Sequence, residues 1–260
     1  MSAAVPAPRI EWRVAKVIDV VRETSRTRTL LLDVPDWPGH RAGQHVDVRL
    51  TAEDGYQAER SYSIASPPSD SKLALTVEEL DDGEVSPYLA EELHAGDSME
   101  LRGPIGGYFV WDIPVGGPLF LVGGGSGIVP LMAMIRHRNS SLPQGNPEAR
   151  RALPARLLYS SRSWDEVIYR DELARLAKED PTLEVIHTIT RQPPEPWNGF
   201  RRRIDRAMLS ETAWPPSEGP KVFVCGPTPL VESVANAMVE LGHPADLVKT
   251  ERFGPTGATG

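Results

Sequence analysis

The stretch Pro118–Pro130, PLFLVGGGSGIVP, runs from a short apolar segment into a glycine cluster and then into a helical pattern reaching about Arg138. A strand followed by a glycine-rich turn and a helix is the opening unit of many parallel α/β sheets. The backbone N–H groups of such a turn can hold a pyrophosphate. The spacing is not a strict G-x-G-x-x-G, because Ile128 stands where the last glycine would fall. A tight turn with no ligand fits the same residues.

Downstream of that unit, strand and helix signals alternate. Strands are expected at Arg156–Tyr159, Leu183–Thr190, Val222–Cys225 and Leu247–Phe253. Helices are expected at Asp165–Ala177, Ile204–Leu209 and Pro229–Leu241, the last closed by Gly242. The pattern predicts an open parallel, Rossmann-like sheet with helices on both faces. Asn139–Pro154 reads as a polar surface loop and Gly254–Gly260 as a loose tail.

Upstream the grammar differs. Trp12–Val21, Leu30–Val34, His45–Leu50, Glu59–Ala65, Leu73–Leu80 and Met99–Arg102 are short strand-like runs separated by turn residues. One helix fits among them, Ser86–Leu93, with Pro87 in its first turn. Six antiparallel strands and one helix suggest a small β-barrel. The chain is therefore expected to form two domains, 10–112 and 117–254, joined near Asp112–Pro118.

Composition narrows the function classes. No apolar run approaches the roughly 20 residues that span a bilayer, and Met1–Arg9 lacks the apolar core of a signal peptide. A cytoplasmic protein without membrane contact is expected. Cys225 is the only cysteine. One cysteine excludes an internal disulfide and a four-cysteine metal or iron–sulfur site within these residues. No metal is expected. The net charge of -8 is concentrated in Thr51–Val110, where thirteen Asp and Glu face only Arg60, Lys72 and Arg102. Such a surface argues against a nucleic-acid partner. It fits either a solvated acidic face or a docking face for a basic partner.

Three further motifs carry chemistry. In Arg60-Ser-Tyr-Ser-Ile-Ala-Ser66, strand alternation puts Arg60, Tyr62 and Ile64 on one face, and Ser61 and Ser63 on the other. An arginine can pair with phosphate, a tyrosine can lie on a flat ring, and a serine can hydrogen-bond a ring nitrogen. An ordinary amphipathic strand has the same spacing. Asp82-Gly-Glu-Val-Ser-Pro87 marks a helix start, whose free N–H groups suit an anion or simply a cap. Val224-Cys-Gly-Pro227 ends a parallel strand, at the edge where open α/β sheets bind ligands. A lone buried cysteine there is also consistent with a small core residue.

Taken together and in order, RSYSIAS, DGEVSPYL, LRGPIGGYFVW, VGGGSGIVPLM, VFVCGPTPLVESV and a terminal TERFG resemble the ferredoxin–NADP(H) reductase superfamily over about Trp12–Gly254. More closely, the chain is similar to the reductase portion of bacterial oxygenase reductases without their ferredoxin domain. The resemblance implies a flavin on the barrel, FAD with FMN as the alternative. It places Arg60 on the flavin phosphate, Tyr62 on the isoalloxazine and Ser63 near N5. Ser61 and Val77 would border the same cofactor, and Gly83, Glu84, Val85 and Ser86 would receive the phosphate. Gly123, Gly124, Gly125, Ser126 and Gly127 would border the NAD(P)H pyrophosphate. Cys225, Gly226 and Pro227 would adjoin the nicotinamide, with Glu251 and Phe253 on the flavin's far side. Ser63, Cys225, Glu251 and Phe253 form the implied catalytic set. Phe253 could occupy the nicotinamide position and move aside when NAD(P)H arrives.

Ser160 and Arg162 would line the nucleotide groove. The region after the third parallel strand carries Thr190, Arg191, Arg201 and Arg203, with no acidic residue immediately after the strand to bind a free ribose. Arginine suits a 2′-phosphate, so NADPH is expected over NADH, although a basic loop alone fits the same residues. The implied function is an NAD(P)H-dependent flavoprotein reductase that passes electrons to a separate ferredoxin, oxygenase component or small acceptor. A non-catalytic flavin and nucleotide sensor, or an electron-transfer subunit, is the alternative.

Overall fold

A computed structural model of the chain describes residues 10–142 and 146–253. The expected loose tail, 254–260, lies outside the described residues. The first half folds into six strands: β1 (Trp12–Arg22), β2 (Thr27–Asp33), β3 (His45–Thr51), β4 (Gln57–Ser63), β5 (Leu73–Glu78) and β6 (Ser98–Ile105). They form one antiparallel sheet in the order β4-β3-β6-β1-β2-β5. A bridge between Ile64 and Leu75 brings the two edges together, so the sheet curls into the expected barrel. Alternation drives this packing. In β3, Val46 and Val48 are fully buried while Asp47 and Arg49 face outward to Arg102 and Glu100. The helix expected at Ser86–Leu93 is a turn and a half ending at Glu92, with a π-helical stretch at Tyr88–Glu92.

The second half is a five-stranded parallel sheet: β7 (Leu119–Gly124), β8 (Ala155–Ser163), β9 (Leu183–Gln192), β10 (Lys221–Pro227) and β11 (Val248–Phe253), in the order β11-β10-β7-β8-β9. Its central strands read as continuous apolar runs because both faces are covered. On one face Phe120, Val122, Leu158, Val222 and Val224 pack under α4 (Arg206–Thr212) and α5 (Thr228–Glu240). On the other, Leu121, Tyr159, Phe223 and Cys225 meet α1 (Ile128–Ser141) and α3 (Arg170–Glu179). Ala42, Ala65, Ala74, Phe109 and Trp111 of the barrel half belong to that same buried cluster. The two sheets therefore share one core at their seam.

Two sequence expectations need correction. Asn139–Pro154 is not simply a loop. It holds the last turn of α1 and a short helix, α2 (Pro147–Ala152). Asn146 caps α2 by accepting a hydrogen bond from the Ala149 N–H at 3.1 Å, with Pro147 in the first helical position. The fully buried Arg138 holds this region. Its guanidinium donates to the Leu153 carbonyl at 2.6 Å and to Asp180 at 2.7 Å. The second correction concerns α3, which begins at Arg170 rather than Asp165. Tyr169 has a left-handed backbone (φ 59°), which a helix cannot continue through.

Candidate active site at the seam of the two sheets

On β4, Arg60 and Tyr62 lie opposite Val48 and Val46 and so share the face the alternation predicts. Ser61 points the other way and donates to Asp47 at 2.6 Å. The Arg60 guanidinium donates to Glu84 at 2.6 Å, and the Tyr56 hydroxyl donates to the other Glu84 oxygen at 3.1 Å. These contacts join the RSYS strand to the DGEVSP turn, 24 residues apart in sequence. Gly83 suits this turn, because a Cβ would stand 2.5 Å from the Ser86 hydroxyl and force it to move. That hydroxyl accepts from the Leu80 N–H at 3.1 Å, so it closes the turn rather than projecting from it. Val77 and Val85 are fully buried in the barrel core, so neither side chain reaches the surface to meet a ligand. Burial pushes the Tyr62 phenol well above its ordinary range, so it stays neutral.

The parallel sheet supplies the opposite wall. Gly123 and Gly124 end β7, and Gly125–Gly127 make a tight turn into α1. Gly125 has φ +56°, where a side chain would be strained, and the Tyr159 hydroxyl holds its carbonyl at 3.1 Å. A Cβ on Gly127 would lie 2.2 Å from the Cys225 carbonyl oxygen, and one on Gly226 would lie 3.3 Å from the Gly124 nitrogen. The glycine turn and the Cys-Gly-Pro turn are thus packed backbone to backbone. They sit between β7 and β10, where the strand order reverses. Ligands of open α/β sheets bind at that crevice.

Register places the remaining residues. Cys225, Gly226 and Pro227 of β10 lie beside Glu251, Arg252 and Phe253 of β11. Burial, and secondarily the Glu251 charge, pushes the Cys225 thiol well up, so it is a neutral wall and not a thiolate. Burial raises the Glu251 carboxyl to about 7. Its Oε2 is buried without a hydrogen-bond partner, and its Oε1 lies 3.9 Å from Nδ1 of His45. His45 pairs with Ser63 in the β3–β4 ladder. Burial lowers His45, against an opposing effect of Asp47, so the imidazole is neutral near pH 7. Ser63, His45, Glu251 and Cys225 therefore form a chain of neighbours across the seam. Sequence reasoning missed His45. Its only signal was a polar residue at the start of an otherwise regular strand.

The third cluster lies at the far side of the sheet. Ser160 is the neighbour of Gly124 in the β7–β8 ladder. Thr190 donates from its hydroxyl to the Ser161 carbonyl at 3.3 Å. Arg162, Arg191 and Arg203 are exposed, and their guanidinium groups make no hydrogen bond or ion pair among the described residues. Arg201 is different. It pairs with Glu195 at 3.1 Å and donates to the Trp197 carbonyl, so it braces the loop.

These residues fit two flat cofactors. One wall offers a guanidinium, a neutral aromatic ring and the start of a short helix. The other offers the glycine turn and the Cys-Gly-Pro turn, packed backbone to backbone at the sheet's switch point. Among the described residues there is no cluster able to hold a metal ion, and no helix is long and apolar enough to cross a membrane.

Comparison with known proteins agrees with this division. Residues 13–110 match the oxidoreductase FAD-binding domain family, and residues 121–236 match the oxidoreductase NAD-binding domain family. The glycine betaine monooxygenase reductase subunit of Chromohalobacter salexigens is 32% identical over 251 residues, covering 94% of this chain and 64% of that protein. NADH-cytochrome b5 reductase 1 of Lodderomyces elongisporus is 30% identical over 201 residues, covering 77% of this chain and 64% of that protein. The chain thus matches somewhat less than two thirds of the length of either curated relative. The flavohem-like FAD/NAD-binding domain of nitric oxide dioxygenase from Vibrio cholerae superposes with a TM-score of 0.79 at 21% identity, covering 94% of this chain and 99% of that one. Carrying an FAD-binding and an NAD-binding oxidoreductase domain in this order, the chain belongs to these two oxidoreductase domain families, and its two-sheet fold is ferredoxin-reductase-like.

Proposed function

We propose that the chain is an NAD(P)H-dependent flavoprotein reductase that takes a hydride from NADPH and passes electrons to a separate acceptor. The barrel, 10–112, holds FAD, and the parallel sheet, 117–254, holds the nucleotide. The observation that carries this reading is the seam. Glu251 and Cys225 on the nucleotide side stand against His45 and Ser63 on the flavin side, with 3.9 Å between Glu251 and His45. Direct hydride transfer needs two rings held at contact, and this arrangement puts both cofactor walls at one crevice. A bound flavin supplies the redox chemistry, accepting a two-electron hydride and releasing electrons singly.

The chain's own residues bind, orient and exclude water. Arg60 and the backbone at Gly83–Ser86 hold the flavin phosphate. Tyr62 backs the ring system, and Ser63 offers a hydroxyl to its edge. The glycine turn takes the nucleotide pyrophosphate. Cys225, small and neutral, borders the nicotinamide without displacing it. Phe253, beside Pro227 in the ladder, guards the position the nicotinamide must enter. Anaerobic mixing of the FAD-loaded protein with NADPH tests the reading. Rapid bleaching of the flavin absorbance is expected. A protein that binds no added flavin, or whose bound flavin NAD(P)H leaves oxidised, would overturn it. Heat release and chromatography of the flavin separate FAD from FMN.

The free guanidinium groups of Arg162, Arg191 and Arg203 support NADPH over NADH. A charge-assisted hydrogen bond to phosphate contributes about 1.5–3 kcal/mol. The double variant R191A/R203A is therefore expected to raise KM for NADPH at least ~10-fold and to leave KM for NADH within about twofold. Comparable kcat/KM for the two nucleotides in the unaltered protein would defeat the preference.

The acceptor is a ferredoxin, an oxygenase component or a small molecule. Support for a protein acceptor comes from the similarity to a glycine betaine monooxygenase reductase subunit. A cytoplasmic location is consistent with the absence of a membrane-crossing helix among the described residues.

A further inference from the structure

A row of hydroxyl groups crosses the seam away from the crevice. Tyr169 is buried, and its hydroxyl donates to Thr76 Oγ1 on β5 of the barrel. Thr76 Oγ1 lies 2.8 Å from Thr29 Oγ1 on β2, and Thr29 donates to Glu23 at 2.7 Å. Thr29 and Thr76 are themselves buried, so these bonds are shielded from competing water. The donors run in one direction from the parallel-sheet half into the barrel half.

The same segment grips the glycine turn. The Ile168 N–H donates to the Tyr159 hydroxyl at 3.3 Å, and that hydroxyl donates to the Gly125 carbonyl at 3.1 Å. Tyr169 is held in a left-handed backbone, a conformation a bulky residue adopts only where its surroundings impose it. Arg136 of α1 adds a second tie. Its guanidinium lies 4.7 Å from the Tyr169 ring centre, donates to Glu172 at 3.0 and 2.5 Å, and reaches across to the Ala65 carbonyl at 2.8 Å. Ala65 belongs to the RSYSIAS motif. Both cofactor walls are thus fastened to the Ile168–Tyr169 segment, whose tyrosine hydroxyl bonds to neither crevice motif.

We propose that Tyr169 is a positioning residue: its hydroxyl bond to Thr76 fixes the glycine turn against the flavin barrel and so sets the distance between the two reacting rings. Hydride transfer is steeply sensitive to such spacing, on the order of 100-fold for a 1 Å displacement. Cofactor affinity depends on contacts local to each wall and should not feel the clasp. Its loss should therefore separate kcat from KM.

The test compares Tyr169→Phe and Thr76→Val with Thr76→Ser, which keeps the hydroxyl. The two deleting variants are expected to slow anaerobic flavin bleaching by NADPH about 10-fold. They should weaken the long-wavelength charge-transfer band and leave nucleotide and flavin Kd within about twofold. Thr76→Ser is expected to restore most of the rate. Amide hydrogen exchange adds an arm that needs no turnover, with exchange at Gly123–Gly127 expected to quicken in both deleting variants. Wild-type bleaching rates in both deleting variants overturn the proposal, as does a rate loss fully matched by weaker nucleotide binding. The kinetic arm presupposes the reductase reading. If NADPH does not bleach the flavin of the unaltered protein, that reading falls, and exchange alone then decides the clasp. Faster exchange at the turn supports it, and unchanged exchange overturns it.

Discussion

Gly127→Ala is expected to abolish measurable NADPH binding and to lower Tm by roughly 6–12 °C. Local preference points the other way. Gly127 has φ -62° and ψ -11°, helical values at which alanine is favoured over glycine by about 1 kcal/mol. Sterics outweigh that gain. An alanine Cβ would stand 2.2 Å from the Cys225 carbonyl oxygen, 2.5 Å from its carbonyl carbon and 2.8 Å from the Gly226 nitrogen. All three are backbone atoms of a central strand, so no side chain can swing aside. The turn must retreat by about 1 Å, at the upper end of the 1–3 kcal/mol typical of overpacking. For a chain of this size about 3 kcal/mol corresponds to the stated change in Tm. The retreat also turns the N–H groups away from the pyrophosphate site. Calorimetry and nucleotide titration check both arms. Gly107→Ala is the control, since a Cβ there meets nothing within 4 Å. Equal behaviour of the two variants would mean that the turn does not depend on this approach.

Glu251→Gln is expected to make the protein more stable than the unaltered chain at pH 8, with the difference vanishing near pH 4.5. Burial raises this carboxyl from an ordinary 4.5 to about 7 in the folded state. A folded-state pKa above the unfolded one means that the native protein holds the proton more tightly. The stabilisation is full below the unfolded value and is lost as pH rises through the folded value. The window therefore runs from about pH 4.5 to about pH 7, with no further loss above it. A full shift of this size corresponds to about 3 kcal/mol. The side chain keeps 26% of its surface exposed, so about 2 kcal/mol is the better expectation. Glutamine has nearly the same shape and no charge to desolvate, so the variant's own curve should lack this slope. Denaturant unfolding of both proteins between pH 4.5 and 8.5 measures the difference directly. Parallel curves would show that Glu251 ionises without cost. In the reductase reading, a carboxyl poised near neutrality beside a neutral His45 could hold or release a proton as the crevice fills.

The two predictions draw on different kinds of legibility. The glycine turn was readable because a strand running into VGGGSG can hardly be anything but a tight, close-packed junction. Its neighbour was not readable, since nothing in the string says that Gly127 meets the Cys225 carbonyl nearly a hundred residues later. Glu251 and Phe253 were placed by family resemblance. The resemblance supplied their address but not the environment that raises the carboxyl. Asn146-Pro147 carried a proper helix-start signal that the surrounding polar residues masked. The start of α3 could not be read locally. Asp165–Tyr169 has helix-compatible residues, yet contacts across the seam hold Tyr169 in a left-handed conformation.

By itself the sequence determined the two-part architecture, the strand-by-strand alternation and the placement of each glycine-rich turn at a strand end. These follow from short-range periodicity and backbone freedom, which neighbours in the chain carry between them. The tertiary structure alone decided which arginines are free and which are spent: Arg201 braces its loop, while Arg162, Arg191 and Arg203 stay without a partner among the described residues. It alone brought His45 to Glu251, emptied the Val77 side chain into the core and threaded hydroxyls from Tyr169 to Glu23. Burial and long-range contact set ionisation, pairing and spacing, and those depend on which surfaces meet when the two sheets close on a common core.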